Sequence, residues 1–124
     1  MSVTGAKAIV VIEDDFAIAD TLRQMLEGSA YLVQVVGDAQ ELRPSGSPAA
    51  LVITDLASRT GYDSASALQT VREARQRTGA PVLVLTAHRA ATEDAALARE
   101  ADAVLTKPFD MNVLLARVEE LARH

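Results

Sequence analysis

Residues 9–15 read IVVIEDD: four branched aliphatic side chains, then three carboxylates with no spacer. A short unbroken run of β-branched residues marks a strand buried on both faces, as in parallel sheets covered by helices. The acids that follow are harder to place. Adjacent carboxylates repel one another, and crowding raises their pKa unless a cation arrives. Gly, Asn or Pro would end a strand without that electrostatic cost. The stretch therefore either carries a solvated turn or builds half of a cation site.

Four further apolar runs follow, at 32–36, 51–54, 82–85 and 103–105. Helical patterns lie between them. Ile18, Leu22, Met25 and Leu26 fall on one helical stripe, and so do Met111, Leu114, Leu115, Val118 and Leu121, with Asp110 placed as N-cap. Residues 64–77 and 92–100 read as helices with narrower, Ala-rich faces. The second crossover, DAQELRPSGSP at 38–48, allows a turn or two of helix before Pro44 and a Ser/Gly/Pro linker stop it. Parallel strands need such crossovers, so the order predicts an α/β sandwich of five strand-then-helix units. It forms a doubly wound parallel sheet in a single domain over 1–124, with its core at about 7–123 and a shortened second helix.

Composition narrows the partners. At 49% AVILMFWYC and 3% aromatic, the core is aliphatic, and two Tyr and two Phe without Trp leave little for base stacking. A net charge of −5 argues against nucleic acid as a direct partner. Cysteine is absent, which excludes disulfide and thiol chemistry and suits a reducing compartment. No apolar run approaches membrane-spanning length, and residues 1–8 lack the apolar core of a signal peptide. The expectation is a soluble, cytoplasmic domain.

In open α/β sheets, ligands sit beyond the carboxyl ends of the strands. Glu13, Asp14 and Asp15 stand there after the first strand, Asp55 after the third, Thr86 after the fourth and Lys107 after the fifth. Taken singly, each has an ordinary reading as a helix N-terminus, a cap, an ST-turn or a surface lysine. Together they place four carboxylates, a hydroxyl and an ammonium on one edge. Clustered carboxylates with a backbone carbonyl make an oxygen site suited to Mg²⁺. A carboxylate there can attack a phosphoryl group and become an aspartyl phosphate, with Lys107 and the metal neutralising the oxygens.

The segments IVVIEDDF, LVITDL, VLVLTA and VLTKPF, in this order and at these separations, resemble the CheY-like receiver domains of two-component signalling. The resemblance implies a flavodoxin-like fold with strand order 2-1-3-4-5. It implies that Asp55 is the phosphoacceptor, that Asp14, Asp55 and the Ala57 carbonyl bind Mg²⁺, and that Glu13 acts largely through water. Thr86 and Lys107 would contact the phosphoryl group, and the Lys107–Pro108 bond would be cis. Such a domain catalyses its own phosphorylation and dephosphorylation. Its partners would be a sensor histidine kinase or histidine phosphotransfer protein and a downstream protein. His88 and Ala57 would flank the site, where side chains tune water access.

The chain also departs from the family pattern. Arg59 replaces a usual proline after the phosphoacceptor, Ser64 a later glycine, and Glu100 stands where Gly is common. Val104 occupies the place usually held by Tyr or Phe on the fifth strand. Valine is short and stiff at χ1 and cannot swing between solvent and core. An outward signal is then expected to travel through residues 88–100, or phosphorylation matters chiefly as relay. A phosphorylation-independent docking module on the same fold is the alternative, and it would need a broken site. A small-molecule Mg²⁺ phosphohydrolase lacks its second aspartate, since Asp55-Leu56-Ala57 is not Asp-x-Asp. A dinucleotide-binding domain lacks G-x-G-x-x-G.

Overall fold

The computed structural model describes residues 7–42, 48–56 and 61–123. Its elements are β1 (Ala8–Ile12), α1 (Phe16–Gly28), β2 (Leu32–Val36), a 3-10 turn (Ala39–Glu41), β3 (Ala49–Asp55), α2 (Ser64–Thr78), β4 (Val82–Thr86), α3 (Arg89–Thr92), α4 (Ala95–Glu100), β5 (Ala103–Thr106) and α5 (Met111–Leu121). All five strands pair in parallel, in the order β2-β1-β3-β4-β5. This is the doubly wound, flavodoxin-like sheet that the strand pattern and the resemblance lead one to expect.

The strands coincide with the aliphatic runs because branched residues pack well on a pleated surface covered on both sides. Alternate side chains point to opposite faces. Ile9, Val11, Leu51, Ile53, Leu83 and Leu85 therefore pack against Leu22 and Leu26 of α1 and Leu114 and Val118 of α5. Val10, Ile12, Val52, Val82 and Val84 pack on the other face, against Val71 of α2, Ala91 of α3 and Leu97 of α4. Two aliphatic cores thus lie back to back with the sheet between them. Register then fixes the functional edge: Ile12 pairs with Val36 and Thr54, Asp55 with Leu85, and Thr86 with Thr106.

Aspartates start the helices. Asp15, Asp63, Asp94 and Asp110 each accept hydrogen bonds from backbone amides of the first turn of α1, α2, α4 and α5. At the other end of α2, Gly79 takes a left-handed φ of 71° and its N–H reaches the Arg75 carbonyl at 2.7 Å, a conformation that glycine adopts without a Cβ clash.

Two local readings change. The span 92–100 is not one helix: α3 ends at Thr92, and Asp94 caps a separate α4 through Ala96 N and Leu97 N. In the second crossover the described residues hold only the Ala39–Glu41 turn, capped by Asp38. The Pro44–Ser47 linker lies outside the described residues. No helix among the described residues is long and apolar enough to cross a membrane.

Candidate functional site

Glu13 and Asp14 follow β1, Asp55 is the last residue of β3, Thr86 the last of β4, and Lys107 follows β5. Residues far apart in sequence meet because these strands end together. One carboxylate oxygen from each of Glu13, Asp14 and Asp55 lies within 4.8 Å of the others, and the trio could hold a metal ion. Glu13 is buried, Asp14 exposed and Asp55 intermediate. Hard carboxylate oxygens at a half-open edge fit a hard divalent cation that keeps several waters. Ala57, the expected carbonyl donor, lies outside the described residues, as does Arg59.

Lys107 reaches across the sheet to the acids. Its Nζ donates to Asp55 Oδ1 at 2.8 Å and to Glu13 Oε1 at 3.2 Å. The Lys107–Pro108 bond is cis, as the resemblance implied. Burial pushes the Glu13 carboxyl above its ordinary value; the Asp15 amide opposes this, the Asp55 charge adds to it, and Lys107 draws it back. Burial acts to lower the Lys107 ammonium, yet the hydrogen bond and charge of Asp55, with those of Glu13, carry it above its ordinary value. The lysine is thus held firmly charged between two acids.

The three consecutive acids divide their tasks. Asp15 does not join the cluster; its Oδ1 accepts from Ala17 N at 3.0 Å and Ile18 N at 3.2 Å, capping α1. Its own N–H donates to Glu13 Oε2 at 3.1 Å, which orients the buried acid. The puzzle of IVVIEDD is therefore part helix cap and part acidic cluster that could hold a cation.

Thr86 is fully buried, and its Oγ accepts from His88 N at 2.9 Å. This is the ST-turn that its position allowed. His88 starts α3 without a side-chain cap bond, and its ring lies 6.3 Å from that of Tyr62, tilted by 43°. Val104 is half-buried against the core on the α2–α4 side of the sheet.

Two polar clusters were not visible in the sequence, one next to this edge and one at the opposite end of the sheet. Tyr62 Oη and Ser64 Oγ donate to the same Asp94 Oδ2, at 2.6 and 2.5 Å. The two hydroxyls hold the Asp94 carboxyl down at about 2. Burial, followed by the Asp94 hydrogen bond and charge, pushes the Tyr62 phenol up to about 12. At the far end of α4, Arg72 and Arg75 of α2 grip Glu100, and Arg75 also bonds Asp102 at 2.9 Å. Glu100 thus ties α4 to α2 at a position where the resemblance leads one to expect glycine. The partners in both clusters are separated by 25 residues or more, a relation that no local motif encodes.

Chemically, the edge presents a largely buried carboxylate whose negative charge is offset by an ammonium at hydrogen-bond distance. Two further acids stand ready for a cation. Such an arrangement tolerates the approach of an anionic electrophile, which a bare acidic cluster would repel.

A family model for the response regulator receiver domain matches residues 9–119. The response regulator MprA of Mycobacterium ulcerans is 37% identical over 121 residues, covering 93% of this chain and 50% of the relative. Its counterpart in Mycobacterium avium is 36% identical with the same coverage. The chain spans about half the length of these curated relatives. Among solved structures, the non-phosphorylated HemR receiver domain of Leptospira biflexa is 28% identical with a TM-score of 0.70, covering 95% of each chain. The response regulator TrrA of Thermotoga maritima, solved in complex with Mg²⁺–BeF, has a TM-score of 0.74 at 24% identity, covering 93% of this chain and 98% of that one.

Proposed function

The chain belongs to the response regulator receiver domain family of two-component signalling, and on that premise we propose that it is a phosphoacceptor whose acceptor is Asp55. The donor is a phosphohistidine of a sensor histidine kinase or a histidine phosphotransfer protein. An Asp55 carboxylate oxygen attacks phosphorus, the P–N bond to the donor imidazole, protonated on its other ring nitrogen, breaks, and its electron pair stays on the departing ring nitrogen. The product is an acyl phosphate on Asp55 and a neutral histidine on the donor.

The observation that carries this reading is Lys107 Nζ at 2.8 Å from Asp55 Oδ1, beside a trio of acids fit for a cation. Glu13, Asp14 and Asp55 would hold Mg²⁺, with the Ala57 carbonyl as a further donor. When bound, the ion supplies positive charge against the phosphoryl oxygens. Lys107 balances charge on the same oxygens, and its bond to Glu13 keeps the ammonium at the site in the resting state. The Thr86 hydroxyl donates to a third oxygen. Exposed Phe16, at the start of α1, and exposed Met111 and Val113, at the start of α5, offer apolar footing for the donor protein at this edge. A downstream protein reads the modified state, and the whole exchange takes place in the cytoplasm.

Incubation with Mg²⁺ and acetyl phosphate, followed by intact-mass spectrometry, tests the assignment. A base-labile phosphoryl adduct is expected on the wild-type chain and none on Asp55→Asn. Full labelling of Asp55→Asn would remove Asp55 as the acceptor.

A further inference from the structure

We propose that Tyr62, Ser64 and Asp94 form a latch between the loop after Asp55 and the start of α4, and that phosphorylation of Asp55 releases it. The proposal rests on the phosphoacceptor reading and names the device by which the state of the site reaches α3 and α4. Three observations carry it.

The latch joins two segments through one side chain. Asp94 uses its Oδ1 to cap α4, accepting from Ala96 N at 3.0 Å and Leu97 N at 3.3 Å. Its Oδ2 is left to accept both hydroxyls, from Tyr62 at 2.6 Å and Ser64 at 2.5 Å. Tyr62 stands seven positions beyond Asp55 in sequence, at the far end of the loop that the acceptor begins, and Ser64 opens α2. Charge-assisted hydrogen bonds of this kind are stronger than neutral ones. The start of α4 is therefore pinned to the acceptor loop by the same carboxylate that starts the helix.

A line of contacts also runs from the site to the latch. Thr86 Oγ holds the His88 amide at 2.9 Å, and the His88 ring lies against the Tyr62 ring. Rotamers of Thr86 are discrete, so turning its hydroxyl onto a phosphoryl group at Asp55 takes the oxygen away from the His88 amide. His88 then loses the bond that fixes the entry to α3. Its ring shifts against Tyr62, and the Tyr62–Asp94 bond opens.

The third observation is where the alternative is missing. Val104 on β5 packs on the α3–α4 side of the sheet and has no long side chain to move between two placements. Coupling needs an element with two discrete arrangements. A hydrogen-bonded tyrosine at the mouth of the same loop provides one: closed on Asp94, or open.

The test is hydrogen exchange by mass spectrometry on the full chain, free and with Mg²⁺ and beryllium fluoride, for wild type, Tyr62→Phe and Ser64→Ala. Tyr62→Phe keeps the ring against His88 and removes only the hydroxyl. In wild type, beryllium fluoride is expected to speed exchange across residues 89–100. In Tyr62→Phe, exchange there is already fast in the free protein and responds little, with Ser64→Ala intermediate. Because coupling is reciprocal, losing a bond that favours the unmodified state tightens beryllium fluoride binding, by about fivefold for coupling at the lower end of the usual range. If wild type binds beryllium fluoride and Tyr62→Phe matches it in both exchange response and affinity, the latch is overturned while the acceptor reading stands. If wild type takes up neither beryllium fluoride nor a phosphoryl group, the acceptor reading falls and the latch falls with it.

Discussion

Replacing Lys107 by Met keeps most of the side-chain volume and removes the one cation among the described residues that touches both Glu13 and Asp55. The Glu13 side chain is 2% exposed and that of Asp55 14%, so neither acid can turn fully to water. Carboxylate oxygens of the two lie within 4.8 Å, where two unit charges at an effective dielectric near 20 repel by about 3.5 kcal/mol. Glu13 can escape by taking a proton, at a cost of about 1.4 kcal/mol for each pH unit above its ordinary 4.5, or about 3.4 kcal/mol near pH 7. The two routes cost nearly the same, so the variant is expected to lose at most about 3.4 kcal/mol near pH 7, roughly 13 °C in melting temperature for a chain of this size.

The sign with pH follows from the raised Glu13. An acid raised in the folded state leaves the native protein holding more protons than the unfolded chain above 4.5, so its stability falls as pH rises through that window. The Lys107→Met deficit should therefore shrink to about 0.7 kcal/mol near pH 5. In wild type, the raised lysine contributes its full stability below 10.5 and loses it only as pH rises through the folded value, so neutral pH leaves the pair intact. Added Mg²⁺ should stabilise the variant more than wild type, because the ion takes over the missing charge; tenfold saturation alone is worth about 1.4 kcal/mol. Thermal melts across pH, with and without Mg²⁺, provide the assay. A deficit that stays constant between the two pH values would refute the electrostatic reasoning.

Two more outcomes are expected. Asp14→Ala should weaken Mg²⁺ binding more than Glu13→Ala, because Glu13 is already committed to Lys107 and the Asp15 amide while no such bond engages the Asp14 side chain among the described contacts; equal losses in a calorimetric titration would count against this. Val104→Tyr should leave acetyl-phosphate labelling of Asp55 unchanged, since position 104 is half-buried on β5 and contributes no charge or donor to the site; a variant that stays folded yet loses its label would show that β5 shapes the acceptor directly.

The sheet was legible because burial on both faces leaves strands no choice but aliphatic residues, and the strand bounds follow those runs to within two residues. Glu13, Asp14, Asp55, Thr86 and Lys107 were found by one rule, that polar residues at carboxyl ends of parallel strands meet at one edge. Asp15 was less clear, since an acid after a strand serves equally as ligand or cap, and only the bonds to Ala17 and Ile18 decide. The division of 92–100 was obscured by alanines, which suit a helix on any face and leave Asp94 as the sole break signal. The hydroxyls on Asp94 and the arginines on Glu100 depend on how α2 and α4 are laid side by side, which no local pattern fixes.

The two cores on opposite faces of the sheet also divide the surface of the protein into two sides. Thr86, His88, Tyr62 and α4 all belong to the region served by one core, whereas α1 and α5 rest on the other. Under the proposed latch, the contacts that would change, Thr86 with His88 and Tyr62 with Asp94, lie on the first of these sides. If the latch opens as proposed, a protein that grips α4 would meet two different surfaces, while one that grips α1 and α5 would meet residues outside the latch. On the proposed reading, writing and reading would then fall to separate sides of a single small body.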